Sequence, residues 1–453
     1  MKFDIPSGYA WAPTSSESKK MTNESPGFRP IHYLGNKTRY LEPIVTTLVE
    51  LSRPGQAVLD LFAGSAVVSR ELALHRPVVS ADVQAYSAAL ASALSNPRRY
   101  SNSLRRDINR RARDWLTAVH PRVSELLSYE SRVSASAIDH ADRFASFVEE
   151  ASLASAGATD PQLAHAKAAA YPHLIDAGAT LTRYYGGAYF AYEQSLELDA
   201  LIFATGHGPS TPAEATLLAS ILGTASDIVS TVGSHFAQPS RLRDRSGTPK
   251  LGAIAQVIRA RQRSALDTFE LWLERYANLT PAPHVCTTIT GDFRAVLDAL
   301  DDSISAIYAD PPYTRDHYSR FYHVLETITL ADDPGVTLSP GSGSPSRGLY
   351  RSDRHQSPFS IRSRVTDAFD TLFSSARKRG IPLVLSYSPQ GGGTPSRPET
   401  RLMTVDRLVR QAESHFRHVK VREIEDSSHS RFNRAELHGT LPAEAEVLVI
   451  ARP

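Results

Sequence analysis

The feature that most restricts the fold is a mostly apolar six-residue run, Ile304-Ser305-Ala306-Ile307-Tyr308-Ala309, stopped at once by Asp310-Pro311-Pro312-Tyr313. Two prolines in succession supply no backbone donors and fix φ, so a strand over this run must end there. A carboxylate and an aromatic ring then project from its carboxyl end. In open α/β sheets that edge is where ligands bind. The plainer alternative is a proline-terminated strand with an incidental tyrosine.

A second strand–turn module lies far upstream. Ala57-Val58-Leu59-Asp60-Leu61-Phe62 reads as a short apolar strand, followed by a glycine turn at Ala63–Ser65 and a helix through Leu72. A further strand over Pro77–Ala81 ends in Asp82. Glycine at such a turn lets backbone approach a ligand, and an acid closing the next strand suits ribose hydroxyls. The dinucleotide fingerprint is incomplete, because Ser65, Ala66 and Val67 follow Gly64. A nucleoside without a diphosphate fits this turn better than a nicotinamide dinucleotide. Just upstream, Tyr33-Leu34-Gly35-Asn36-Lys37 precedes a helical stretch near Tyr40–Leu51. It reads either as a surface turn or as a closure over the cofactor, with Lys37 near a carboxylate.

The two modules are separated by chain of another character. From about Pro97 to Pro283 the strand–helix alternation stops and long Ala- and Arg-rich helical stretches replace it. That is too long for a loop, and we expect an inserted helical domain over residues 97–283. Core chain then occupies residues 29–96 and 284–453, with residues 1–28 as a flexible polar tail. Strand character resumes at Ile304–Ala309, Leu383–Tyr387, Val419–Ile424 and Val447–Ile450, and Asp332–Pro358 reads as a long loop or a segment that orders on binding.

Composition excludes some classes and permits others. The chain has 453 residues, 41% of them hydrophobic, and a net charge of +2, so any affinity for nucleic acid must come from local charge. A single cysteine, Cys286, precludes an internal disulfide, and the histidines show no metal-ligand spacing. Cys286 is not preceded by proline, and covalent attack on a cytosine carbon is not supported. Neither a signal peptide nor a membrane-spanning run is evident, and a cytoplasmic, nucleoid-associated protein is expected.

The chemistry these corners suit is methylation of a base amino group. Such a nitrogen is a poor nucleophile because its lone pair is conjugated into the ring. A carboxylate and a backbone carbonyl can accept its two hydrogens, and a tyrosine can stack on the extruded base.

In content and order, these elements resemble the Dam-like, alpha-class DNA adenine methyltransferases. The order runs Tyr33–Lys37, Asp60–Gly64, Asp82, an insertion, Gly291-Asp292-Phe293 and Asp310–Tyr313. The resemblance implies an α/β fold: a Rossmann-like class I methyltransferase sheet with a large inserted helical target-recognition domain. It implies S-adenosyl-L-methionine as cofactor, held by Tyr33, Lys37, Asp60, Phe62, Gly64, Asp82 and Asp292. Asp310, Pro311, Pro312 and Tyr313 would face adenine in double-stranded DNA. Restriction–modification, phage defence or epigenetic marking would suit such an enzyme, with a restriction or defence partner. One departure is Ala66, where the family commonly has glycine, expected to narrow the pocket slightly.

Other segments admit two readings. Tyr184–Tyr192 packs aromatics around Gly186-Gly187, as a platform for DNA (Tyr185 foremost) or as core. Arg241, Arg243, Arg245 and Lys250 form the densest basic stretch, a phosphate-contact candidate. Arg259, Arg261 and Arg263 follow on a helix with Ile254, Ile258, Phe269, Trp272 and Tyr276, and do not share one face. His317–His323, with Arg320, is placed at the mouth of the base pocket, and His429–Arg434 is a further DNA-facing candidate; both could instead be packing. RNA or a cytosine amino group are alternative substrates, although serine is commoner than aspartate at position 310 in cytosine-amino enzymes. A nucleic-acid-binding subunit without turnover is the alternative outside catalysis.

Overall fold

The computed structural model describes residues 27–35, 37–155, 157–211, 213–231, 233–315, 317–339, 341, 343–388, 401–424 and 446–453. The expected tail except Gly27 and Phe28, Asn36 and the His429–Arg434 candidate lie outside the described residues. Among the described residues seven strands form one sheet. They are β1 (Ala57–Asp60), β2 (Val78–Asp82), β3 (Cys286–Thr290), β4 (Ile304–Ala309), β5 (Leu383–Tyr387), β6 (His418–Ile424) and β7 (Glu446–Arg452). Their order is β3-β2-β1-β4-β5-β7-β6. Pairing is parallel from β3 through β5, whereas β7 runs antiparallel to both neighbours.

β1, β4, β5 and most of β7 are buried along their length, the pattern of strands covered on both faces. Alternation assigns the faces. Val58, Ala306 and Tyr308 pack against the helix Leu41–Leu51 and the helix Val67–Leu72. Leu59, Ile307 and Leu385 point the other way, toward the helices Val365–Lys378 and Val405–Glu413. Edge strand β3, Cys-Thr-Thr-Ile-Thr, is largely exposed and lacks the apolar run that marks the central strands, so the sequence did not announce it. β6 is also mostly exposed and carries Lys420, Arg422 and Glu423, charges that discourage another chain from adding there.

Helices occupy most of residues 102–277. Asn102–Val119 illustrates why: Ser101 accepts from Leu104 N at its start, and Ile108, Ala112, Leu116 and Val119 repeat as one buried stripe. These helices have no separate core. Their apolar residues form one cluster with the helix Ala85–Ser95 and the helix His323–Leu330, which belong to the sheet layer. The region expected as a single helix through Ile254 and Tyr276 is two, Leu251–Arg261 and Ala265–Ala277. Ser264 breaks it by accepting from Asp267 N (3.2 Å), a helix-starting cap. Gly223 permits a close helix contact, because a Cβ there would lie 2.5 Å from the Trp272 ring.

The described residues between 332 and 357 form no helix or strand. Arg351, 2% exposed, bonds to Asp332 (2.8 and 2.9 Å) and Asp353 (3.0 and 3.1 Å), pinning the loop to itself. No helix among the described residues is long and apolar enough to cross a membrane.

Candidate active site

β1 and β4 are neighbours, with Asp60 opposite Tyr308, so the acid closing β1 and Asp310 just beyond β4 reach the same edge. The chain leaves β1 for β2 on one side while β4 lies on the other, and that divergence opens a crevice at the carboxyl ends. A pocket there is lined by Tyr33, Lys37, Asp60, Phe62, Asp82, Asp292 and the whole Asp310–Tyr313 turn. Residues as far apart as Tyr33 and Tyr313 thus meet in one cavity.

The glycine turn depends on Gly64. Its φ is +53°, its N–H donates to Asp82 Oδ2 (2.9 Å), and a Cβ would lie 2.5 Å from the Tyr33 hydroxyl. Ala66 is also left-handed, with φ +60°, which accounts for a glycine preference there on conformational grounds. Its methyl is buried in the core, so the expected narrowing of the pocket is not what this alanine does. Asp82 Oδ1 accepts from Gln84 N (2.9 Å), so this acid knots the turn as well as lining the pocket. Burial raises its pKa, opposed by the N–H groups of Gln84 and Gly64.

Asp60 is 1% exposed. Its Oδ2 accepts from Ser69 Oγ (2.6 Å), while Oδ1 is buried with no hydrogen-bond partner among the described residues. Burial, against the Ser69 bond and aided by the charges of Asp310 and Asp82, lifts its pKa to about 7. Asp310 repeats the pattern. Its Oδ2 meets Lys37 Nζ at 3.0 Å, and its Oδ1 is buried without a hydrogen-bond partner among the described residues. Burial pushes its pKa up to about 6 despite Lys37, with Glu446 adding to the rise.

Lys37, expected near a cofactor carboxylate, lines the pocket and is ion-paired there with the protein's own acids. Its ammonium bridges Asp310 and Glu446 Oε1 (2.9 Å), a wholly buried acid at the start of β7. Burial alone would lower the lysine pKa, but these carboxylates raise it well above its ordinary value. The ammonium is therefore committed to holding the Asp310 and Glu446 carboxylates. Asp292 accepts from Arg294 N (3.0 Å), capping the helix Phe293–Asp298 at the pocket wall. Phe62 packs on Phe293 and Phe359, ring centroids 5.9 and 5.4 Å away.

Aromatic rings close the other side. Tyr33 stacks on Tyr322 at 4.7 Å and 14°, and Leu34 N donates to the Tyr322 hydroxyl (2.6 Å). Tyr313 lies against Tyr387 (5.3 Å), with the Arg401 guanidinium 5.5 Å from its ring centroid. Leu402 N donates to Tyr313 O (3.3 Å), which fixes the turn to the segment after β5.

A model of the D12 class N6 adenine-specific DNA methyltransferase family matches residues 33–131 and 248–381, just over half of the chain. The chain belongs to this family. It is thus an enzyme of adenine-specific DNA methylation. No curated protein matches the sequence. The two matched segments contain all four pocket aspartates, Asp60, Asp82, Asp292 and Asp310. The methyltransferase match also takes in both ends of the helical region and leaves residues 132–247 outside it.

Beyond the pocket the candidates divide. Tyr185 is 0% exposed, and its hydroxyl meets Thr327 Oγ1 (3.1 Å), so it does not present a face to DNA. The whole Tyr184–Tyr192 segment is core: Tyr189 donates to Phe236 O (2.7 Å) and Gly348 O (2.8 Å), and Tyr192 to Ala151 O (2.5 Å). Arg241, Arg245 and Lys250 are exposed, and the first two line a separate cleft. Arg243 lines it too but is engaged with Asp142 (2.5 Å) and Glu149 (3.6 Å). Arg261 is buried against Glu130 (2.8 Å) and is structural. From His317–His323, Ser319 and Tyr318 line the pocket, whereas His323 is fully buried, its pKa lowered by burial to about 3.

Three contributors escaped the sequence reading. Glu446 arrives from β7 and Arg401 from the segment before the helix Val405–Glu413, and only tertiary folding brings them to Lys37 and Tyr313. Glu326 accepts from Ala85 N (2.9 Å) and Tyr86 N (3.2 Å), capping the helix that follows Asp82. An acid within the apolar stretch His323–Leu330 was its only visible signal.

Proposed function

We propose that this enzyme uses S-adenosyl-L-methionine to methylate the exocyclic amino group of an adenine extruded from double-stranded DNA. The observation that carries this reading is the pair of bare carboxylate oxygens, Asp60 Oδ1 and Asp310 Oδ1, buried in one pocket. Four aspartates line that pocket against one lysine, already engaged, so it favours a ligand with cationic groups. The cofactor has an ammonium and a sulfonium, and its adenosine suits the Tyr33–Phe62 side and Asp82. When bound it supplies a methyl on cationic sulfur, whose S–C bond breaks as the bond to the adenine nitrogen forms.

The protein's part is positional and electrostatic. Asp310 Oδ1 accepts one amino hydrogen and turns the nitrogen lone pair toward the methyl. Lys37, anchored by Glu446, holds Oδ2 and fixes the carboxylate's orientation. Tyr313 offers its ring to the base. Once methylated the nitrogen is cationic and acidic, and its proton leaves to Asp310 or water. Arg241, Arg245 and Lys250 remain DNA-facing groups in this reading.

The test is labelled methyl transfer to duplex DNA and duplex RNA, followed by digestion to nucleosides. N6-methyladenine from DNA, absent with Asp310→Ala, is expected. Label in RNA or on a cytosine amino group contradicts the substrate, and DNA binding without turnover contradicts catalysis. We assign the activity to restriction–modification or phage defence at the nucleoid, because a site-specific mark distinguishes a cell's DNA from foreign DNA. Phage sensitivity and digestion of host DNA, compared between wild-type and Asp310→Ala strains, check that assignment.

A further inference from the structure

Two arginines stand beside the active-site mouth with no acid paired to them among the described residues. Ser319 and His355 both line the pocket, and Ser319 Oγ donates to His355 O (2.6 Å). Arg320 follows the first and Arg354 precedes the second, so the two emerge together from distant parts of the chain. Both guanidinium carbons approach the Tyr350 ring, at 5.7 and 5.5 Å from its centroid. That ring is fixed in turn: its hydroxyl donates to Ala237 O (2.6 Å), and His323 packs against it at 5.3 Å.

Among the described residues neither arginine has an ion pair. The nearby acids Asp332 and Asp353 are taken by Arg351. Arg320 Nε and Arg354 Nη1 are shielded from solvent and have no hydrogen-bond partner among the described residues. Burial, with the neighbouring Arg320 charge, lowers the Arg354 pKa. Like charges gathered and left without partners are unfavourable until an anion joins them.

We propose that Arg320 and Arg354 together grip a DNA phosphodiester beside the extruded adenine, holding the flipped nucleotide's backbone at the pocket mouth. The proposal rests on the DNA-adenine reading above. Paired guanidinium forks suit a phosphate, and phosphate contacts set register without reading sequence. The competing anion is the cofactor's own carboxylate, and the test separates the two.

Arg320→Gln and Arg354→Gln, singly and combined, are measured for DNA affinity across salt concentrations on the site mapped by methylation sequencing. Phosphates flanking the target adenine are replaced one at a time by neutral methylphosphonate. The double variant should bind DNA about tenfold more weakly and lose about one from the slope of log affinity against log salt. One methylphosphonate should weaken the wild type similarly and leave the double variant unaffected. Cofactor affinity and melting temperature should hold, and Arg354→Lys should keep most of the salt slope. An unchanged slope, or no coupled phosphate, overturns the clamp while wild-type methylation stands. Loss of cofactor affinity with DNA binding intact assigns the arginines to the carboxylate and also overturns it. A wild type that neither binds nor methylates DNA overturns the clamp and the functional reading together.

Discussion

The buried acids of the sheet edge and those of the helical region face the same desolvation and resolve it differently. In the helical region Asp199 has its pKa raised by burial to about 7, the same as Asp60. Yet Asp199 accepts from Leu181 N (3.0 Å), Thr182 N (2.9 Å) and Thr182 Oγ1 (2.7 Å), both oxygens engaged. Glu130 likewise divides its oxygens between Arg261 (2.8 Å) and Tyr192 N (2.7 Å). Asp60 and Asp310 each keep one oxygen bare. A fully bonded buried acid is part of the scaffold, whereas one with an open oxygen inside a cavity is prepared for a ligand.

The sharpest way to break this contrast is a pair of substitutions. Asp310→Asn should lower kcat by about a thousandfold while leaving the melting temperature near wild type. Asp199→Ala should do the reverse, costing about 3 kcal/mol of stability by orphaning three donors with kcat per folded molecule unchanged. Denaturation curves beside single-turnover rates check both. Next in size, Asp60→Asn should weaken cofactor binding on the order of tenfold to a hundredfold, read by calorimetry, with DNA affinity unaffected.

The raised carboxyls also predict pH behaviour. With Asp310 near 6, kcat/KM should fall as the pH drops through about 6, because the protonated acid no longer accepts the amino hydrogen. Stability has the opposite sense. A carboxyl whose folded pKa lies above its ordinary value favours folding when protonated. Stability of the cofactor-free enzyme should therefore decline from about pH 4, the ordinary carboxylate range, to about 7 and then level off. Melting curves across that window check the sign. The smallest effect concerns Tyr185: Tyr185→Phe should cost about 1 kcal/mol and leave DNA affinity unchanged, whereas loss of affinity would restore this residue to the DNA surface.

What was legible in the sequence follows the same division. Central strands announced themselves through apolar runs ended by Asp60, Asp82 and Asp310, because strands buried on both faces leave no polar alternation. The pocket acids were legible because turn chemistry placed them at strand ends. Edge strand β3 was not, since half-exposed threonines carry no such signal. Tyr184–Tyr192 was ambiguous because aromatics serve core and stacking platform alike, and only burial separates the two. Glu446, Arg401 and Arg354 lie beyond local reading altogether. Their partners stand 409, 88 and 34 positions away, at Lys37, Tyr313 and Arg320 respectively.

The central claim is that the bare carboxylate oxygens await a cationic nucleoside. Calorimetry of S-adenosyl-L-methionine binding at about pH 6.5, repeated in buffers of different ionisation enthalpy, tests it most directly. Binding should expel on the order of one proton per cofactor from the Asp60 and Asp310 carboxyls, and Asp60→Asn should remove most of that release. Binding with no proton released, or release undiminished in the variant, would contradict the account.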